Sequence, residues 1–309
     1  ASCNVVVSFI HQTNLNLGVS ANPAVFGQTL IISANLVDGV SPTGNITFRD
    51  GANVLGTAPI SGLSASIATD ALEPGTHVLT AEYAGDALNT PDTSQVINLV
   101  VNRAATTTTV PPIPAIRFGQ SANVVATLGV TAPGNGTPTG TITVTGGSDT
   151  CTITLPATTC VLTPATFSAN VEVTASYAGD ARFQASSGTQ MLQVIPQYVG
   201  GTLSGVDATG LVLQLGTNGT PAGTYGVPQG ATGFAFATAV AVGANYAVSV
   251  QSQPSGLFCT VSNGSGSMPA EDVGNVAVAC SNAPHAVLSG SIDNGTGFVM
   301  LALVDHDRR

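Results

Sequence analysis

At 309 residues the chain is too long for one β-sandwich of about 100 residues, and roughly two to four modules are expected. Charged residues make up 7%, the net charge is −10, and lysine is absent, the six basic residues being Arg49, Arg103, Arg117, Arg182, Arg308 and Arg309. This excludes the basic patch that nucleic acid requires, a Walker loop for nucleotides and lysine-to-asparagine isopeptide staples, while 43% apolar residues exclude charge-driven disorder.

The chain contains 36 glycines and 18 prolines, a turn-rich share that falls short of low-complexity sequence and suits many short strands. Helix signals are weak, because segments rich in Thr, Val and Gly lack apolar positions three to four residues apart. No run of about 18 apolar residues occurs and no basic segment leads into an apolar one, so neither a membrane span nor an intact signal peptide is expected. The sequence reads as a mature or excerpted form.

In chain order, residues 1–11 open with an apolar strand, Cys3-Asn4-Val5-Val6-Val7-Ser8-Phe9-Ile10, ahead of the first module and without an obvious mate in sequence. Residues 12–103 form the first module. Alternating stretches such as Leu30–Leu36 and His77–Tyr83 read as half-buried strands between Gly, Pro and Asp turns, and about seven such strands can be counted. Residues 104–196 form the second, which repeats the first. Val25-Phe26-Gly27-Gln28 overlays Arg117-Phe118-Gly119-Gln120, Pro42-Thr43-Gly44-Asn45-Ile46-Thr47 overlays Pro138-Thr139-Gly140-Thr141-Ile142-Thr143, and Tyr83-Ala84-Gly85-Asp86 overlays Tyr177-Ala178-Gly179-Asp180. The offsets of 92, 96 and 94 residues fit one sandwich per repeat.

On these residues both modules resemble the bacterial Ig-like repeat in which FGQ precedes a strand, PTGxIT opens another and YxGD closes a late one. The resemblance covers nearly two thirds of the chain. It implies an immunoglobulin-like sandwich and a place in modular surface or secreted bacterial proteins, as stalk, spacer or adhesive arm. It implies architecture more than chemistry.

From Tyr198 the pattern changes, and residues 197–283, with Leu203-Ser204-Gly205, Gln253-Pro254-Ser255-Gly256 and Asn263-Gly264-Ser265-Gly266, resemble a second type of bacterial β-sandwich repeat. Residues 284–309 start that repeat again, Leu288-Ser289-Gly290 matching Leu203-Ser204-Gly205, and stop after two strands. An isolated hairpin is marginal in water, so this partial repeat needs completion. The fold class expected is therefore all-β: tandem immunoglobulin-like sandwiches in a row, with an extra N-terminal strand and an incomplete C-terminal hairpin. Pro111-Pro112 and Pro196 limit bending at the junctions.

Five cysteines lack any CxxC pair, and the spacing of Cys151 with Cys160 and of Cys259 with Cys280 suggests two bridges within modules and an oxidising compartment. Cys3 has no evident mate; a lipid anchor after Ala1-Ser2, a relic of an upstream repeat and an intermolecular bridge all stay open. No catalytic constellation occurs, the four histidines being isolated and no GxSxG elbow or HExxH helix being present, so no enzyme activity, metal or cofactor is expected. Asp86, Asn89, Asp92 and Asp180 could offer oxygens to calcium but read first as turn residues, and Asp305-His306-Asp307 reads as chain end. Tyr83 and Tyr177 stand where sandwiches anchor a corner through a tyrosine hydroxyl. The chain has no tryptophan, which argues against an aromatic platform for glycans, and the sequons at Asn45 and Asn135 read as incidental turns.

The function expected is that of a secreted structural subunit of a bacterial cell-surface or extracellular fibre. The partners expected are copies of itself, head to tail, or neighbouring Ig-like modules; a glycan or host receptor has no support in the residues. In the sharpest form, the strand of Cys3, Val5, Val6, Val7, Phe9 and Ile10 completes the hairpin of Leu288, Ile292, Phe298, Val299, Leu301 and Leu303 in the next subunit. The alternatives are a spacer cut from a longer surface adhesin and a glycan-binding module attached to a secreted enzyme.

Overall fold

The computed structural model describes residues 10–283, and among them no residue is helical. The strand Leu30–Val37 shows why: buried and outward residues alternate along LIISANLV, placing Leu30, Ile32, Ala34 and Leu36 inside. That period of two suits a sheet with one face on a core and cannot serve a helix.

Leu30–Val37 is the centre of a three-stranded sheet between Asn14–Val19 and Ser64–Thr69. A larger sheet orders Ala24–Val25, Ile97–Asn102, Gly75–Tyr83, Asn45–Asp50 and Asn53–Pro59, with Asp92–Thr93 beside Gly75–Tyr83. Leu15, Ile32 and Leu36 from the first sheet meet Ile46, Phe48, Leu79 and Leu99 from the second in one core. Fully burying side chains of this size is worth about 1.5–3 kcal/mol each.

The next set of strands repeats the plan. A five-stranded sheet orders Ile116–Arg117, Ser186–Ile195, Asn170–Tyr177, Thr141–Gly146 and Asp149–Thr154. Opposite lie two short pairs, Thr106–Thr109 with Thr127–Val130 and Ala122–Val125 with Thr159–Leu162. The last set has two four-stranded sheets. One orders Gly233–Ala235, Val199–Ser204, Val273–Asn282 and Leu257–Ser262; the other orders Thr220–Gly226, Val212–Thr217, Asn245–Ser252 and Ser265–Ser267. Together the three sets are immunoglobulin-like sandwiches in tandem, here called modules 1, 2 and 3. No sheet joins strands of two modules among the described residues.

Packing groups the chain differently from the sheets. Among the described residues, one compact unit takes 10–113 with Asn123–Leu162 and Val171–Leu192; the other takes Pro114–Ala122, Thr163–Asn170 and 193–283. Module 1 therefore shares a unit with most of module 2. The Phe118 turn and the loop around Phe167, both from module 2, share a unit with module 3.

Candidate functional site

Two of the repeated signatures close one corner inside each module. In module 2 the Asp180 carboxylate accepts the backbone N–H of Thr139 at 2.9 Å, the Thr139 hydroxyl at 2.9 Å, and the N–H groups of Arg182 and Phe183 at 2.8 Å each. In module 1 Asp86 accepts Thr43 N–H at 2.8 Å, its hydroxyl at 3.0 Å, and the N–H groups of Leu88 and Asn89 at 2.9 Å each. A carboxylate that accepts several N–H groups fixes a turn that no neutral side chain would hold as firmly. Pro-Thr-Gly and Tyr-x-Gly-Asp are thus the two halves of one lock. The Asp92 carboxylate accepts Leu15 N–H, and the Asn89 side chain bridges Val40 and Asp86, so these oxygens serve the fold's own donors.

The tyrosine of the second signature caps the corner. Tyr177 donates its hydroxyl to the Thr139 carbonyl at 3.0 Å, and burial, followed by the Asp180 carboxylate, pushes its phenol up to about 12. Tyr83 stands in the same place beside Thr43 and Asp86 without the aligned bond that Tyr177 makes; burial and Asp86 push its phenol up as well.

The aspartates give the lock a pH dependence. Partial burial pulls the Asp180 carboxyl up, but the Thr139, Arg182 and Phe183 donors outweigh it and hold the group at about 2, against an ordinary 3.8. Asp86 is held further down, first by the Leu88 N–H. A carboxyl whose folded value is depressed stabilises the fold above its unfolded value and loses that contribution as pH falls through the folded one. Module 2 should therefore melt at progressively lower temperature between about pH 4 and pH 2. Asp180→Asn should melt lower than the parent at neutral pH and lose much of that slope, as calorimetry across the range would show.

The lock also decides what the module presents to its neighbour. In module 2 the turn after Asp180 carries Arg182 and Phe183, and the entering chain is stitched to it: Ala104 N–H donates to the Arg182 carbonyl at 2.9 Å and Gln184 N–H to the Ala104 carbonyl at 2.8 Å. Against this turn sits the Phe-Gly-Gln turn of module 1. The Phe26 ring meets Phe183 edge to face, with centroids 5.5 Å apart, and the Arg182 guanidinium lies 5.1 Å from the Phe26 centroid. Arg182 also forks onto Glu73 of module 1, with Nε 2.8 Å from Oε2 and Nη2 on Oε1. That ion pair is exposed and adds little stability, but a bidentate fork fixes an angle.

Gln28 explains the third letter of the signature. Its side-chain carbonyl accepts Val25 N–H while its own N–H donates to the Val25 carbonyl, both at 3.0 Å, so the turn is rigid before it meets anything. The Phe26 carbonyl then accepts Asn135 N–H from module 2 at 3.3 Å. Gly27, at φ +75°, passes so close that a Cβ there would lie 2.1 Å from the Asn135 carbonyl oxygen.

The closed turn, its phenylalanine carbonyl and its closely passing glycine recur one module on, while the ring itself stays on its own module. Gln120 closes its turn onto Arg117, the Phe118 carbonyl accepts Val242 N–H from module 3 at 2.8 Å, and a Cβ on Gly119 would lie 2.8 Å from the Ala241 Cβ. Phe118 rests on Phe167 at 5.7 Å, and Gln197, fully buried, receives Val240 N–H on its backbone carbonyl. Sequence reasoning found the signature as a repeat and missed that it faces outward to the next module. The available signal was the jump in repeat offset from 92 to 96, which marks extra residues in the Thr131–Thr137 loop that receives Phe26.

Of the residues singled out from sequence, Cys151 is bonded to Cys160 and Cys259 to Cys280. Ile10 is exposed and precedes the first strand, which begins at Asn14. Cys3, Val5, Val6, Val7 and Phe9, and the hairpin residues Leu288, Ile292, Phe298, Val299, Leu301 and Leu303, lie outside the described residues.

Among solved structures the chain is similar to a region of a 1.5-MDa bacterial ice-binding adhesin, at 12% identity over 89% of this chain and 98% of that one, with a TM-score of 0.28. It is similar to an I-band fragment of titin at 10% identity over 87% and 97%, TM-score 0.29, and to the Yersinia pseudotuberculosis adhesin InvE at 15% over 59% and 58%, TM-score 0.28. No curated protein matches the chain. The family that does match is the one signalled by the first module: residues 17–102 fit the Bacterial Ig-like domain (group 3).

Proposed function

We propose that this chain is a non-catalytic structural segment of a bacterial extracellular fibre or surface stalk, whose Ig-like modules are set against one another by Phe-Gly-Gln turns. The observation that carries this reading is that at two successive junctions the phenylalanine carbonyl of a Phe-Gly-Gln turn accepts an N–H of the next module, Asn135 N–H at Phe26 and Val242 N–H at Phe118, with the Phe26 ring also seated on module 2. A protein that needs only a string of independent binding modules has no use for a fixed angle, since linked domains otherwise move freely. Two disulfides support an oxidising, extracellular setting.

Two routes of extension follow. In the first, residues 1–11 of one subunit complete the partial repeat 284–309 of the next, and strand exchange builds a filament. In the second, the chain is one stretch of a longer surface adhesin. Negative-stain electron microscopy of the chain and of a variant lacking residues 1–11 separates them. Fibres from the parent that vanish in the deletion support strand exchange, whereas short particles from both sink it and leave the spacer.

A further inference from the structure

We propose that module 1 carries a second receiving face, made by Val40, Leu88 and the entry at His11, and that its occupant is the Phe-Gly-Gln turn of another Ig-like module of this type placed directly ahead of His11. The proposal rests on the stalk reading above and deepens it by naming a partner.

The entry geometry is the first ground. His11 N–H donates to the Leu88 carbonyl at 2.7 Å and Thr90 N–H to the His11 carbonyl at 2.9 Å, forming a parallel bridge between His11 and Asn89. Ala104 makes the same two bonds with Arg182 and Gln184 and the same parallel bridge with Phe183. The chain therefore comes onto module 1 as the linker from module 1 comes onto module 2. In sequence alone, Val5–Ile10 stand ahead of His11 where Asn98–Arg103, the end of module 1, stand ahead of Ala104.

The second ground is the surface itself. Counted from the shared signatures, Leu88 stands where Arg182 stands and Val40 where Gly136 stands. Those two residues of module 2 touch the Phe26 ring: Arg182 over its face, and Gly136 so near that a Cβ would lie 3.3 Å from a ring carbon. Their counterparts are large apolar side chains left in the open, Leu88 at 44% and Val40 at 43% exposure. The face is held in shape, because buried Asn89 bonds both the N–H and the carbonyl of Val40 as well as Asp86. An aromatic ring laid on two aliphatic side chains, with its turn carbonyl toward the Asp38–Val40 loop, is the ligand chemistry that fits, with no call for a cation.

The test duplicates residues 11–103 in tandem within the full chain, so that Arg103 of the added copy runs directly into His11. Spin labels at Val54→Cys in both copies, with Cys3→Ser, report the distance distribution between the two modules. A pair at Val54→Cys and Thr150→Cys in the undivided parent gives the width of the existing junction. The result expected is one narrow distribution, as tight as the reference pair, that broadens when Val40→Asp and Leu88→Asp are placed in the original copy. A distribution that is broad from the outset, or that stays narrow despite the aspartates, overturns the proposal. A broad reference pair would instead overturn the stalk reading, so the two failures are told apart.

Discussion

Replacing Gly27 with alanine should leave modules 1 and 2 folded and abolish their fixed mutual orientation. The alanine Cβ would fall 2.1 Å from the Asn135 carbonyl oxygen, and the next nearest atoms, at 2.7 Å, are the Asn135 carbonyl carbon and nitrogen. All three are backbone, so no side chain can rotate away, and the turn is already fixed by Gln28 on Val25. The strain is relieved by lifting the Phe26 turn off module 2, which breaks the Phe26–Phe183 contact and pulls Arg182 from the ring. Alanine at φ +75° costs roughly 1–2 kcal/mol on its own. Gly51→Ala controls for that: its φ is +55° and a Cβ there meets open space, so it should lower module 1 stability by a similar amount and leave the orientation untouched. The Val54→Cys/Thr150→Cys spin-label pair reads both variants. A narrow distance distribution surviving in Gly27→Ala would mean that the linker at Arg103–Ala104 sets the angle by itself.

That expectation marks where sequence stops being informative. The strands were legible because alternation such as Leu30, Ile32, Ala34, Leu36 is a direct consequence of one face being buried. The modules were legible because Pro-Thr-Gly, Tyr-x-Gly-Asp and Phe-Gly-Gln recur at nearly constant offset. The corner-anchoring tyrosine was legible too, and Tyr177 does bond the Thr139 carbonyl, but the aspartate's part was not, since an Asp that accepts from a Thr some forty residues away leaves no trace in spacing. Phe-Gly-Gln is harder still. Gln28 acts within its own turn, Phe26 acts on the next module, and the surface that receives Phe26 is assembled from Gly136, Arg182 and Phe183, which share no pattern with it. Even so, Arg182 is one of six cations in the chain, and in so sparse a charge set an arginine beside a signature turn points to a specific contact.

Removing the Cys259–Cys280 bridge should have the largest effect on stability, and it should fall on module 3. Cys259 and Cys280 face each other across the antiparallel strands Leu257–Ser262 and Val273–Asn282, and Cys259 is buried in the core. Gln253 bonds both the N–H and the carbonyl of Cys259, so the position is held independently of the sulfur and the double variant keeps its local geometry. What is lost is chiefly the restraint on the unfolded chain, and for a separation of 21 residues the chain-entropy relation gives about 3 kcal/mol. A loss of that size is a large share of the roughly 5–15 kcal/mol that holds a typical domain, and lowers the midpoint of a module of this length by on the order of 15 °C. The Cys151–Cys160 bridge closes only 9 residues between half-buried positions in neighbouring strands, and its removal should shift module 2 by less. Calorimetry of Cys259→Ala/Cys280→Ala and Cys151→Ala/Cys160→Ala, with a reduced parent sample, compares the two directly. Equal shifts would overturn the loop-length argument. A module 3 that melts unchanged without its bridge would mean that its packing alone suffices, and would remove stability as a reason for the chain to mature where disulfides form.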